Sequence, residues 1–170
     1  MKELFGLKGK YRIRVYNNKE EMELISECET PNTVTNEMYN HILNTVFHGG
    51  TPITTWYLGV FETNTTPDAL TTYAVPVFSE STAYDEATRP EFVESAASSQ
   101  SLNNTSSKAT FTASATKTFY GAFLCGGGTA PSTKGDVAGD GVMASAAKFG
   151  TAQPVIDGNV VALEYIISKA

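Results

Sequence analysis

Short apolar stretches separated by Gly, Ser, Thr, Asn and Pro make up the chain from residue 54 onward. Residues 56–61 (WYLGVF) and 119–124 (FYGAFL) are aromatic and uncharged, and both are too short for helices. Such segments are typical of strands that are buried on at least one face. Residues 107–115 alternate instead, which predicts a half-buried strand. The side chains predicted to face inward are Ala109, Phe111 and Ala113, and those predicted to face outward are Thr110, Thr112 and Ser114.

The same pattern continues through most of this region. The predicted strands are 54–61, 73–79, a section around 84–94, 107–115, 118–124, 142–149 and 159–167. Seven or so short strands with turn residues between them indicate a mainly β protein whose body is a β-sandwich or jelly roll. Residues 126–140 form a long Gly-rich loop, which we expect to be mobile or shaped by a neighbouring surface.

A β-hairpin precedes this body. Apolar Tyr11, Ile13 and Val15 alternate with polar residues over 10–16, Asn17-Asn18 can turn the chain, and alternation resumes from Met22. A lone hairpin is marginally stable in water. We therefore expect it to rest on the main body or on another subunit.

One helix is predicted between the hairpin and the strands. Thr35 is a candidate N-cap, and Glu37 in the first turn suits the positive end of the helix dipole. Apolar residues then recur at helical spacing over about three turns, and Gly49-Gly50 ends the helix. The residues of this apolar face are Met38, Ile42, Leu43 and Val46. The domain organisation is thus an N-terminal arm and β-hairpin at 1–30, and a helix plus β-sandwich domain at 31–170.

Charge limits the classes of partner. The formal net charge is −6 and charged residues are 18% of the chain, which argues against nucleic acid as a partner, because phosphate binding needs a basic surface. No apolar run approaches the length of a membrane span, and the first residues do not resemble a signal peptide. We therefore expect neither nucleic acid nor membrane as a partner.

The cationic residues are unevenly distributed. Six of the twelve Lys and Arg residues fall within the first nineteen positions, and a run of glutamates from Glu20 to Glu29 follows. Two interpretations are open: oppositely charged strands face each other across the hairpin, or a basic arm docks on an acidic neighbour. The candidate partner-docking residues are Lys10, Arg12, Arg14 and Tyr16.

Chemistry-bearing motifs are weak. Cys28 and Cys125 lack the close Cys or His spacing of a zinc site, and 136–141 fails the calcium-loop pattern. His41 and His48 are the only triad-type bases, and no Ser lies in a nucleophile-elbow pattern. The segment 85–90 is interpreted as a structural corner, in which Arg89 pairs with a carboxylate of Asp85 or Glu86, rather than as a catalytic pair. We expect no catalytic residue, no metal and no cofactor.

The order of several segments resembles a known group of proteins. These segments are 31–34 (PNTV), 46–50 (VFHGG), 56–60 (WYLGV), 84–90 (YDEATRP), 103–111 (NNTSSKATF), 121–124 (GAFL) and 155–159 (VIDGN). As a series covering nearly the whole chain, they resemble small virion structural proteins of tailed bacteriophages, a group that includes head decoration, collar and tail-associated proteins.

The resemblance implies a non-enzymatic protein located in the virion and assembled in the host cytoplasm. It implies a component that assembles in several copies on a larger shell, and it leaves head, neck and tail open. We expect a capsid decoration or cement protein that binds the head shell as a homo-oligomer, for which a trimer is one arrangement, and whose partner is the major capsid protein or another virion protein. The alternative is a neck, collar or tail-associated protein with a receptor- or glycan-binding role.

Overall fold

The computed structural model describes residues 6–170, so the first part of the predicted N-terminal arm, residues 1–5, lies outside the described residues. The described chain is mainly β, as predicted, with a single helix, α1 (Asn36–Phe47). Its strands are β1 (Leu7–Tyr16), β2 (Leu24–Pro31), β3 (Thr33–Val34), β4 (Trp56–Phe61), β5 (Ser101–Asn103), β6 (Ala109–Thr112), β7 (Lys117–Gly127), β8 (Gly141–Val155) and β9 (Val160–Lys169).

The strands form two antiparallel sheets. The first sheet has the order β2-β1-β9-β5, and β6 also pairs with β9; the second has the order β3-β8-β7-β4. Their facing sides enclose one core, to which β1 contributes Ile13, β9 contributes Leu163 and β4 contributes Leu58, all fully buried. Burying each such side chain contributes roughly 1.5–3 kcal/mol. The prediction of a β-sandwich body is confirmed.

The predicted hairpin is also confirmed, and it is built into the first sheet. β1 pairs with β2 on one side and with β9 on the other, where the register runs from Leu7↔Lys169 to Tyr16↔Val160. Its inward residues, including Tyr11 and Val15, are fully buried in the core between the sheets. The hairpin therefore rests on the body of its own subunit. Strand β2, Leu24–Pro31, runs across the boundary that was predicted between residues 30 and 31.

The strand predictions at 73–79 and 84–94 are wrong, and the first of these segments covers the outer face of the second sheet. Neither segment forms a strand; the second makes only single bridges, at Tyr84 and Glu91. Tyr73 and Phe78 instead insert into a second apolar cluster over β4 and β7. The first segment covers a sheet face with two aromatic side chains, and it meets the edge beside β4 only at its last residue, where Ser79 O accepts from Glu62 N at 3.0 Å.

Glycines on that outer face make room for aromatic rings. Gly59 lies directly opposite Phe123, and Gly121 lies directly opposite Phe61, across the β4–β7 ladder. A Cβ at Gly121 would fall within the ring of Phe61 and against the carbonyl oxygen of Ala147. The two rings can therefore lie flat on the sheet, where Phe78 stacks on Phe61 at 4.3 Å between centroids.

Helix α1 begins and ends as predicted. Thr35 is its N-cap and accepts a hydrogen bond from Met38 N at 3.2 Å, and the chain leaves the helix through His48 and Gly49, whose φ is +70°. The predicted apolar face is only partly used. Met38 packs against the core, but Leu43 and Val46 are 51% and 64% exposed.

We predict that Gly121→Ala lowers the free energy of unfolding by about 1–3 kcal/mol or more, because the added methyl group overpacks the contact with Phe61. Gly150→Ala is the matched control in β8: a Cβ there meets nothing within 4 Å, so its effect should stay within about 1 kcal/mol. Urea denaturation of both variants measures the difference. Equal effects would contradict the proposed packing of aromatic rings on glycine.

Candidate partner-binding surface

The predicted docking residues lie on the outward side of the first sheet, opposite acidic residues of β2. Arg12 faces Glu29 and Arg14 faces Glu27 in the register of the β1–β2 ladder. Arg12 Nη2 lies 2.7 Å from Glu29 Oε2, and Arg14 Nε lies 2.8 Å from Glu27 Oε2. Lys10 Nζ lies 2.8 Å from the other oxygen of Glu29. The interpretation of oppositely charged strands facing each other is confirmed.

Glu164 on β9 also belongs to this surface, and it is not among the docking residues predicted from the sequence. Its side chain is 1% exposed; Arg14 Nη1 lies 2.5 Å from one carboxylate oxygen and Arg12 Nη1 lies 3.6 Å from the other. Lys108 Nζ approaches the same carboxylate at 3.9 Å. A buried carboxylate is unfavourable unless it is paired, so both arginines also serve as counterions for Glu164. A single Glu within an apolar strand was the available signal.

These contacts shift the ionisation of the ladder residues. Hydrogen bonds from Lys10 and then Arg12 lower the pKa of Glu29, and the hydrogen bond to Glu27 raises the pKa of Arg14. Tyr16, the fourth predicted docking residue, lies at the end of β1, pairs with Leu24 and Val160, and is half-buried. The structure thus places all four predicted residues on one strand, three of them within one ion-pair ladder.

We call this surface the charged face and define it by the charged outward residues of β1, β2 and β9 together with Lys108. Its cations are Lys8, Lys10, Arg12, Arg14 and Lys108, and its carboxylates are Glu27, Glu29 and Glu164. Five cations against three carboxylates leave a net charge of +2 on a chain whose formal net charge is −6. Exposed ion pairs contribute only about 0–1 kcal/mol each to the free energy of folding. A binding partner could therefore rearrange them with little loss of stability.

A second charged cluster surrounds Arg89, which is 3% exposed. Its Nε and Nη2 donate to the two oxygens of Glu80 at 2.9 and 2.6 Å. The predicted pairing with Asp85 or Glu86 is therefore wrong. Glu86 accepts instead from the backbone N and Oγ1 of Thr112, at 2.8 and 2.9 Å. The chain folds back so that a carboxylate nine residues away, and not an adjacent one, meets the guanidinium.

The Arg89 cluster shapes the Gly-rich loop. Arg89 donates to the carbonyl oxygens of Pro131 and Asp136, both at 2.8 Å, and Glu80 accepts from Gly135 N at 2.7 Å. Tyr73 OH donates to the Asp136 carboxylate at 2.7 Å. The neighbouring surface that shapes this loop thus belongs to the same chain.

A cavity of about 210 Å³ lies beside this cluster, between Tyr73, Phe78 and Phe123. All three guanidinium nitrogens of Arg89 already have acceptors within the protein. The cluster therefore holds the loops together, and its hydrogen-bond donors are engaged within the protein and not directed at a ligand.

His41 lies on helix α1, His48 is the C-cap of the helix, and Trp56 lies beside His41. His41 Nε2 accepts from Ile53 N at 3.4 Å, and its ring meets half-buried Trp56 edge-on at 5.8 Å.

Among residues 6–170, no group of three or more His, Cys, Asp or Glu side chains is arranged to hold a metal ion. No helix in the described part of the chain is long and apolar enough to cross a membrane.

We predict that Arg89→Met lowers the free energy of unfolding by about 3–5 kcal/mol, because it leaves Glu80 buried without its counterion. Lys117→Met is the control, since Lys117 and Glu62 form a pair of similar length, 3.0 Å, whose side chains are 39% and 32% exposed; its loss should be about 0–1 kcal/mol. Chemical denaturation compares the two. A small effect at Arg89 would show that the loops do not depend on the cluster.

We also predict that the protein loses stability at alkaline pH. Burial raises the pKa of Cys125 from 9.0 to about 12, and burial likewise raises the pKa of Tyr73 and of Tyr165 from 10.0 to about 12. The unfolded chain releases these protons at lower pH than the folded chain, so the stabilisation is complete below pH 9 and is lost as the pH rises towards 12. Urea denaturation across this range measures the decline. A constant free energy of unfolding up to pH 12 would contradict the burial of these groups.

Comparison with known proteins found no matching protein family, no matching curated protein and no matching solved structure.

Proposed function

We propose that this protein is a structural component of a tailed-bacteriophage particle, a capsid decoration protein that binds the head shell as an oligomer. The resemblance of the ordered segments to small virion structural proteins supports the identity of the particle. The charged face is the observation that supports docking. A fold alone does not imply a function, so the proposal depends on this surface and not on the β-sandwich.

The charged face suits an acidic protein surface as its partner. Its excess of +2 contrasts with the −6 of the whole chain, so a negatively charged shell would orient the protein with this side towards it. The exposed pairs of Lys10 and Glu29 can exchange partners at little loss, because each side chain is 40% exposed. Glu164 keeps Arg12 and Arg14 in place and fixes their spacing.

Rigidity and copy number would supply the remaining affinity. The sheet that carries the charged face is fastened by the full-length pairing of β1 with β9, so docking orders few side chains and little backbone. A contact of standard size buries about 1,600 Å² in total. Several subunits linked in one oligomer would then bind multivalently, and weak single contacts would suffice.

Quantitative mass spectrometry of purified particles tests the proposal by counting this protein against the major capsid protein. Hundreds of copies are expected for a protein that decorates the shell. A dozen or so would reassign it to the neck, collar or tail and favour a receptor- or glycan-binding role. Absence from particles would overturn the proposal.

The docking surface is tested by a charge reversal at Lys10. Lys10→Glu should weaken incorporation into particles because it lowers the charge of the face by two, whereas Lys117→Glu should not. The two lysines are matched, because each forms an exposed pair and their side chains are 40% and 39% exposed. Arg12 and Arg14 are unsuitable here, since reversing them would leave Glu164 buried among like charges.

Incorporation of each variant is measured by competition with the wild-type protein for particles that lack it, and thermal unfolding confirms that both variants are folded. Equal incorporation of the Lys10 and Lys117 variants would exclude the charged face as the docking surface.

A further inference from the structure

Helix α1 carries an apolar stripe that residues 6–170 leave exposed or half-buried. Residues 39, 42, 43, 46 and 47 recur at i, i+3, i+4, i+7 and i+8, the spacing that normally faces a core. Here Leu43, Val46 and Phe47 are 51%, 64% and 80% exposed, and Tyr39 and Ile42 are half-buried. The side turned to the protein carries Met38, which packs on the core, and Glu37. We call these five residues, Tyr39, Ile42, Leu43, Val46 and Phe47, the helix stripe.

The helix stripe lies in a part of the chain without charge. Residues 38–61 contain no Asp, Glu, Lys or Arg, although charged residues are 18% of the whole chain. Burial explains this only for β4, because every residue from 38 to 55 is exposed or half-buried. Surfaces that stay in water normally carry both signs of charge. Depletion of charge together with aromatic and aliphatic side chains is instead the composition of an interface core.

The one acidic residue of the helix does not change this. Glu37 Oε2 accepts hydrogen bonds from Tyr73 N at 2.9 Å and from Met143 N at 2.8 Å. Its carboxylate is therefore directed into the fold and away from the helix stripe. Around the stripe, the exposed polar residues of the helix are the amides Asn36, Asn40 and Asn44, which can both donate and accept hydrogen bonds.

From this surface we infer that the protein associates with a second copy of itself through the helix stripe. Two copies that each carry a charge of −6 repel one another at most surfaces, but not where both are uncharged. A second copy also buries no charged group against the stripe, so no carboxylate or ammonium loses its water without a partner.

A two-fold contact fits this geometry. Such an interface uses the same patch on both copies, so antiparallel helices would place Leu43 near the axis and Tyr39 beside Phe47 of the second copy. The asparagine rim would then pair amide with amide across the axis. Opposed helix dipoles add no repulsion in this arrangement.

The inferred contact deepens the proposed function by naming the surface through which the oligomer forms, and it rests on that proposal only for its biological role. It leaves the charged face accessible. Helix α1 packs on β8 of the second sheet, whereas the charged face is the outer side of the first sheet. One side of the subunit would bind its copy while another binds the shell.

Sedimentation velocity of the full chain over a range of concentrations tests the inference. The wild-type protein should sediment with a multiple of its 18.2 kDa mass. Phe47→Glu and Leu43→Glu should raise the dissociation constant by about 30-fold or more, as loss of a central interface side chain does. Ile156→Glu is the matched control: Ile156 is 60% exposed and follows the far end of β8, and its substitution should leave association unchanged.

Cross-linking supplies a positive test. Leu43→Cys in a Cys28→Ser background should form a disulfide-linked dimer on mild oxidation, whereas Ile156→Cys in the same background should not. Thermal unfolding checks the glutamate variants, and Val46→Asp, at a 64% exposed position, replaces any variant that fails to fold.

A wild-type protein that stays monomeric at all concentrations, or an oligomer that Phe47→Glu leaves intact, would overturn the inference. A monomer whose Phe47→Glu variant no longer binds particles would assign the helix stripe to the shell and would likewise overturn it. None of these results depends on the particle count, so the inference and the proposed function can fail separately.

Discussion

β1 and β9 join the two ends of the chain along ten residues, from Leu7↔Lys169 to Tyr16↔Val160. On the inner side this ladder stacks Tyr11 on Tyr165, 4.5 Å apart between ring centroids, in the core between the sheets. On the outer side it brings the β1 arginines beside Glu164. Because the pairing is so distant in sequence, its loop-closure entropy must be offset by this burial. The first sheet and the charged face both depend on it.

Two buried carboxylates, Glu80 and Glu164, are neutralised by arginine with different results. Glu80 meets a guanidinium that is also buried, and Arg89 further donates to two loop carbonyl oxygens, to Tyr73 OH and to Cys125 Sγ. Glu164 meets arginines whose side chains are still 22% and 27% exposed. In both places the arginine offsets the cost of burying a carboxylate. Arg89 thereby holds together the loops that cover the second sheet, whereas Arg12 and Arg14 form a partly accessible cationic surface on the first sheet.

Local patterns predicted the parts of the fold that depend on neighbours in sequence. The hairpin at Asn17-Asn18, the Thr35 cap and the inward face of 109–113 all follow from period and turn chemistry. Thr112 departs from its predicted exposure because Glu86 covers it. The failure at 73–79 has a similar cause: Val75 is 73% exposed while Phe78 is buried. Which residues of an irregular segment enter a cluster depends on the sheet beneath, and so do the partners of Arg89 and Glu164.

Helix α1 shows a different relation between pattern and structure. The apolar period correctly predicts a helix, yet in the described part of the chain Met38 is the one apolar side chain of the helix that packs on the core between the sheets. Such a period indicates that one side of the helix is apolar and favours burial. It does not indicate whether the same chain or another chain covers that side. The absence of charge from residue 38 to 61 supplies the missing distinction, because a solvated helix would gain solubility from Lys or Glu at its exposed positions. The helix stripe is exposed or half-buried among residues 6–170, and a second, equally uncharged surface can therefore bury it.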